Sequence, residues 1–149
     1  MRTDGRDEWA TPLSVYEEIC QHWCRTPQID TFASPENAKC DLWFTHWDNA
    51  LALDWVHEAE KHGRELIFWM NPPYSQPTMT DAIKKAKAEA EKGAVTLFLL
   101  PAWPDQKWYH ELIKGHPHEF TRGRIKFEPP PGIKPSTPRY GNIHGVIRA

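Results

Sequence analysis

The chain has 149 residues, 40% of them hydrophobic and 26% charged, with a formal net charge of −2. That balance fits one soluble globular domain, residues 1–149, able to bury roughly 70% of its unfolded surface. No run approaches the ~18 consecutive apolar residues of a membrane-spanning helix, and the small net charge neither demands nor forbids a nucleic-acid partner. The opening segment, Met1-Arg2-Thr3-Asp4-Gly5-Arg6-Asp7, is polar and lacks the apolar core of a signal peptide, so a cytoplasmic location is expected.

Thr11-Pro12 predicts a helix start, with Thr as N-cap and Pro at the first helical position. Leu13, Tyr16, Ile19, Cys20 and Trp23 then recur at helical spacing to about Trp23. Cys20 and Cys24 lie four apart on one face of that helix, with Cys40 distant. Three cysteines do not read as a disulfide framework. A zinc site would enlist His22 or His46, but no C-x-x-C spacing supports one, and buried free thiols are expected. "QIDTFA" (28–33) predicts a short strand ending near Asp30. The segment 34–63 shows little pattern until "NALALDWVHEAEKHG", which ends as a helix stopped by Gly63. His57-Glu58 and His62 do not form a zinc-protease pair, because the second histidine falls at i+5 and leaves the shared face.

"ELIFWM" (65–70) is an apolar run of strand length. A helix over 78–92 follows, capped by Thr78 or Thr80 and stopped by Gly93. Its Lys84, Lys85, Lys87, Glu89, Glu91 and Lys92 read as a solvated face. "AVTLFLL" (94–100) is a second apolar strand, a short helix is expected around 105–114, and "EFTRGRIKF" (119–127) and "NIHGVIRA" (142–149) are strands joined by the proline-rich loop 129–138. Apolar strands alternating with helices predict an α/β fold, a mainly parallel sheet of about five strands covered on both faces, with an antiparallel hairpin at one edge. Most of the eight tryptophans are expected in the core.

Ligands of such sheets sit at the carboxyl ends of strands. Asp30, Asn71 and Pro101 all fall there. Asn71-Pro72-Pro73-Tyr74 has a chemistry of its own. The prolines remove two backbone N–H donors and stiffen the loop, so it offers acceptors: the Asn71 amide oxygen and the Pro72 carbonyl. Tyr74 adds a ring suited to stacking on a planar base. A nucleobase amine is a poor nucleophile because its lone pair is delocalised into the ring. Two acceptors on its hydrogens favour a more tetrahedral nitrogen and stabilise positive charge developing there, and alignment with an electrophilic methyl group supplies the rest.

Asn71-Pro72-Pro73-Tyr74 matches the D/N-P-P-Y/F signature of S-adenosylmethionine-dependent amino methyltransferases. The chain as a whole resembles the small phage-type DNA N6-adenine methyltransferases, the Dam-like phage family. The resemblance runs through "DEWATP" (7–12), "DTFASPENAKC" (30–40), "FWMNPPY" (68–74), "LLPAWPDQKWYHE" (99–111) and "RGRIKF" (122–127). It implies a compact, truncated Rossmann-like methyltransferase sheet with flanking helices, and S-adenosyl-L-methionine as cofactor. The implied substrate is double-stranded DNA with its target adenine flipped out. By the same resemblance Trp9, Thr11 and Pro12 look like the N-terminal cofactor-contacting motif. Asp30, Phe32 and Ser34 look like a cut-down acidic strand end and cofactor loop, in which Phe32-Ala33-Ser34-Pro35 lacks the usual glycines. Asp48 is a candidate for contacting the cofactor's adenine, and Phe127 looks like an aromatic that helps hold the flipped base.

Arg122, Arg124 and Lys126 alternate along the predicted strand and share one face, which suits either phosphate contacts or plain solvent exposure. Base recognition is expected from loops such as 129–140 or from a second subunit in a homodimer. The tetrapeptide alone leaves other acceptors open, namely cytosine N4, RNA or a glutamine side chain. A non-catalytic module that binds nucleic acid or a host protein is the reading from another class.

Overall fold

A computed structural model describes residues 9–46 and 48–149; the polar leader, the Asp7-Glu8 start of "DEWATP" and Trp47 lie outside the described residues. Helix α1 spans Leu13–Trp23, one residue later than the Thr-Pro pair predicts. Pro12 is its N-cap and no side chain caps it. The Thr11 hydroxyl is engaged elsewhere, its Oγ1 accepting a hydrogen bond of 3.0 Å from Asn71 Nδ2. Cys24 ends the helix in the left-handed region at φ 53°. It is exposed, and Cys20 and Cys40 are half-buried, so the expectation of three buried thiols fails at Cys24.

Strands β1 (Ile29–Asp30), β2 (Leu42–Trp43), β3 (Ile67–Met70), β4 (Val95–Pro101), β5 (His118–Phe120) and β6 (Asn142–Ile147) form one sheet in the order β2-β1-β3-β4-β6-β5. Pairing is parallel from β2 to β4, and β6 runs antiparallel to both β4 and β5. The antiparallel edge is as expected, but the sheet has six strands rather than five. The extra one, β2, is two residues long, too short to carry a period-2 signal.

Side chains alternate across this sheet as its pleat requires. Phe68, Met70, Phe98 and Leu100 pack on one face against Trp55, Val56 and Ala59 of helix α2 (Trp55–Lys61) and Met79, Ala82 and Ile83 of helix α3 (Thr78–Ala90). Trp69, Leu97, Leu99 and Val146 pack on the other against Tyr16 and Ile19 of α1 and Ile125 and Phe127. Three tryptophans belong to the core, Trp55, Trp69 and Trp108, whereas Trp9, Trp23 and Trp103 are half-buried and Trp43 is at the surface. Trp103, Trp9 and Trp23 still pack against the two core clusters, so six of the seven described tryptophans lie in or against the core, as expected for most of them.

Local departures have local causes. The predicted strand over 119–127 leaves the sheet after Phe120, and just beyond its end the isolated Ala10–Glu128 bridge forms, with both N···O distances 2.7 Å. Ile125 and Phe127 stay buried while Arg124 and Lys126 stay exposed, so the alternation reflects burial without a ladder. The helix expected over 105–114 contains a π-helical turn, Tyr109–Ile113, closed by Lys114 N–H donating to the Tyr109 carbonyl at 2.9 Å. Neither Thr78 nor Thr80 caps α3. Gln76 Oε1 instead accepts from the Thr80 N–H at 3.1 Å and its hydroxyl at 2.7 Å.

Glu89 is not part of a solvated face. It is buried, accepts the Val56 N–H at 3.0 Å at the start of α2, and meets Lys85 and Lys92 at 3.0 and 2.9 Å. Burial alone raises such a carboxyl, but these partners outweigh it and hold it below its usual range. No helix among the described residues is long and apolar enough to cross a membrane.

Gly145 is where β6 and the end of β5 come closest. A Cβ there would overlap the Pro117 carbonyl oxygen and lie 2.7 Å from Phe98 Cζ and 2.9 Å from His118 Cα. Gly145→Ala is therefore expected to destabilise the fold by about 1–3 kcal/mol through overpacking, read as a lower denaturant midpoint at unchanged slope. An unshifted midpoint would contradict this close approach.

Candidate functional site

The order β2-β1-β3 means that the chain leaves β1 toward one side of the sheet and returns as β3 on the other. Loops at the carboxyl ends of β1 and β3 therefore diverge and open a crevice, the usual ligand position in such sheets. A shallow, solvent-open cleft lies there. Its lining comes from Trp9, Ala10 and Thr11; from Asp30, Phe32, Asn37 and Lys39 after β1; from Trp69, Asn71, Pro72 and Tyr74 after β3; and from Phe127 and Tyr140.

Asn71 is held at both ends of its amide. Nδ2 donates to Thr11 Oγ1 at 3.0 Å, and Oδ1 accepts the Tyr74 hydroxyl at 2.8 Å. An amide oxygen has two lone pairs, so Oδ1 keeps one for a further donor. Tyr74 is only 6% exposed. Its ring meets Trp103 and Tyr140 edge-on at centroid distances of 6.4 and 6.1 Å, and those two meet each other at 5.3 Å. Phe127 is equally buried, packed in the cluster with Trp69 and Tyr16.

Asp30 organises the other half of the cleft. Its carboxylate accepts the Lys39 N–H at 3.0 Å and the Phe32 N–H at 3.4 Å, which folds residues 31–39 back onto the end of β1. The loop's own amides are turned inward: Ala33 N–H bonds the Phe44 carbonyl at 3.0 Å and Ser34 N–H bonds Asn37 Oδ1 at 2.7 Å. Lys39 Nζ donates to the Asn37 carbonyl at 3.0 Å. Burial lowers the Lys39 pKa, opposed by attraction to Asp30 and Glu128.

The structure thus brings together Trp9, Thr11, Asp30, Phe32, Asn71, Pro72, Tyr74 and Phe127. It adds Asn37, Lys39, Trp69 and Tyr140, of which Asn37 and Lys39 stand inside "DTFASPENAKC" and Tyr140 closes loop 129–140. Pro73 and Ser34 are not among the lining residues. Asp48 is exposed and closes a turn, its Oδ2 accepting the Thr45 N–H at 2.7 Å and hydroxyl at 3.0 Å. Pro12, Arg122, Arg124 and Lys126 line a second, wider groove with Ser14, Glu18 and His22. Thr11 lines the cleft and Pro12 the groove, Phe127 the cleft and Lys126 the groove, so the two concavities share a ridge. Among the described residues, no group of three or more His, Cys, Asp or Glu is placed to hold a metal ion.

A family model described as DNA N-6-adenine-methyltransferase (Dam) matches residues 1–145. A DNA N-6-adenine-methyltransferase of Escherichia phage T1 is 31% identical over 106 residues, which is 71% of this chain and 40% of that protein. One of Haemophilus phage HP1 (strain HP1c1) is 28% identical over 128 residues, 85% of this chain and 69% of the relative. The chain thus spans well under half of the first relative's length and about two thirds of the second's. No solved structure matches significantly.

Asp30 gives the cleft an electrostatic signature. Burial pushes its pKa up to about 7, against two N–H bonds and the nearby Lys39 charge, which pull it down. A carboxyl with a folded value above its unfolded one stabilises the fold when protonated. That contribution is whole below about pH 4 and is lost as pH rises through about 7. Asp30→Asn is expected to flatten this part of the stability–pH curve, measured by denaturation from about pH 4 to 8. An unchanged curve would contradict the upward shift.

Proposed function

The chain belongs to the DNA N-6-adenine-methyltransferase (Dam) family, and on that premise we propose that it transfers a methyl group from S-adenosyl-L-methionine to N6 of an adenine flipped out of DNA. The observation that carries this reading is Asn71, fixed at the sheet's switch point with an acceptor lone pair left over beside the Pro72 carbonyl.

The cofactor supplies an electrophilic methyl group on a positively charged sulfur. The donor set of the cleft fits such a cation: a carboxyl at Asp30 and the rings of Trp9, Phe32 and Trp69. Lys39 suits the carboxylate at the cofactor's amino-acid end. The molecule carries no phosphate, so the absence of glycines and of outward-facing amides in residues 32–35 does not count against it. Cradles of backbone N–H groups serve phosphates.

On the acceptor side, Asn71 Oδ1 and the Pro72 carbonyl take the two hydrogens of the adenine amine. That would withdraw its lone pair from the ring and aim the nitrogen at the electrophilic methyl group the bound cofactor would supply, with the thioether as leaving group. The same oxygens stabilise the positive charge formed on nitrogen until one proton leaves to water. Tyr74 and Tyr140, with Trp103 edge-on to both, supply the aromatic wall for the base, and Phe127 lines the same cleft. Beyond the shared ridge, Arg122, Arg124 and Lys126 face the phosphates that flank the flipped nucleotide.

Asn71→Ala is expected to lower kcat by about 10²-fold or more with cofactor affinity nearly unchanged. Turnover is read as labelled methyl transferred to unmethylated genomic DNA, with the modified nucleoside identified by mass spectrometry. N4-methylcytosine as the product, or near-normal turnover by the variant, would overturn the reading. Replacing Arg122, Arg124 and Lys126 with glutamine is expected to lessen the salt dependence of DNA binding, by a slope of roughly one for each phosphate no longer neutralised. An unaltered slope would remove the groove from the DNA interface.

A further inference from the structure

We infer that Asn142 is a positioning residue for methyl transfer, setting which atom of the Asn71 amide serves as acceptor. The inference rests on the proposed methyl transfer and adds to it a residue that lines neither concavity.

Asn142 opens β6 and is fully buried. Its Nδ2 donates to the Leu100 carbonyl at 3.0 Å and to the Tyr74 hydroxyl oxygen at 3.2 Å, while its Oδ1 has no hydrogen-bond partner among the described residues. Leaving a buried amide oxygen unpaired is costly, and such a group calls for an explanation. The explanation lies in what the other half of the amide does.

A backbone carbonyl can only accept. Leu100 therefore forces Asn142 to present Nδ2 on that side, because the flipped amide would set two oxygens against each other. Nδ2 then occupies a lone pair of the Tyr74 hydroxyl, and the single hydroxyl proton must point elsewhere. Asn71 Oδ1 at 2.8 Å and the Leu99 carbonyl at 3.4 Å both accept it, and the shorter is the better bond. With that proton on Oδ1, the Asn71 amide has its oxygen toward Tyr74 and its Nδ2 toward Thr11 Oγ1, at 3.0 Å.

One acceptor-only carbonyl on β4 thus sets the polarity of four side chains in succession: Asn142, Tyr74, Asn71 and Thr11. Each member removes an alternative orientation from the next. Without Asn142 that lone pair of the Tyr74 hydroxyl is open to a flipped Asn71, its proton turning to the Leu99 carbonyl, which would place an NH₂ group where an acceptor is needed. The cost of Asn142 Oδ1 is thereby linked to an acceptor held ready before the substrate arrives.

Asn142→Leu, which removes the donor at similar volume, and Tyr74→Phe, which keeps the ring, interrupt the relay at successive links. Each is expected to lower kcat at least tenfold on unmethylated DNA, with cofactor and DNA affinities within about twofold of wild type and a native circular dichroism spectrum. Because both act through one chain of bonds, the double variant should be no slower than Tyr74→Phe. Multiplying effects, or wild-type kcat in either single variant, would overturn the inference while the activity of the parent protein leaves the methyltransferase reading standing. If Asn142→Leu does not fold, Tyr74→Phe decides alone: full kcat overturns the inference and a kcat-only loss supports it. A parent protein that methylates no adenine would remove the reading and the relay together.

Discussion

Parallel pairing of β1 with β3, Ile29 opposite Phe68 and Asp30 opposite Trp69, is the constraint on which the rest of the cleft depends. It brings an acidic strand end and Asn71 to the same edge of the sheet, from segments some forty residues apart in sequence. The pairing is short, and side-chain bonds reinforce it. Thr31 sends both its N–H and its hydroxyl to the Trp69 carbonyl, at 3.0 and 2.9 Å. The two loops can therefore diverge without the strands between them separating. On one side of the crevice stand the Asp30 carboxyl and the Lys39 side chain, and on the other the Asn71 amide and Pro72.

The two halves are built to different rules. Around Asn71, prolines limit the backbone and a line of directional bonds limits the side chain, so little remains to be ordered when a substrate binds. That is the condition under which fixed dipoles act on a transition state without reorganisation. Around Asp30, a buried carboxyl folds residues 31–39 inward and consumes several of the loop's amides itself. The loop is a shaped wall rather than a cradle. Burial raises the pKa of its carboxyl to about 7, and a positive charge close by pulls such a value back down.

The half around Asn71 is readable in the sequence because its signals are local. Asn-Pro-Pro-Tyr follows an apolar run directly, and the prolines dictate backbone geometry without help from the rest of the fold. The same holds for the strands 65–70 and 94–100 and for the antiparallel edge. What stayed hidden depends on distant partners. Glu89 has the helical spacing of a surface residue, and only the docking of α2 turns it into a buried cap for Val56. Thr11 reads as an N-cap until Asn71 draws its hydroxyl away. Arg124 and Lys126 alternate with buried neighbours as a strand would, yet no ladder forms, since alternation reports burial and not pairing. Asn142 carried no signal at all. An asparagine at a strand start is commonplace, and its partners lie 42 and 68 residues away.

The two halves also differ in what holds them in place. With two strand residues in β1 and two in β2, the sheet offers little ladder to hold the Asp30 side rigid, and a buried carboxyl supplies part of the missing order. On the acceptor side, β4 and β6 share six register pairs, from Thr96–Ile147 to Pro101–Asn142. The rigidity of that pairing reaches the cleft through Asn142 and Tyr74 rather than through backbone. Polar side chains buried behind the site thus transmit order from the strongest part of the sheet to the atom that must be placed best. Such a network is worth its desolvation only if nearly every member is satisfied. In this one the unsatisfied atom, Asn142 Oδ1, sits at the end furthest from Asn71, where its cost falls on stability and not on the acceptor.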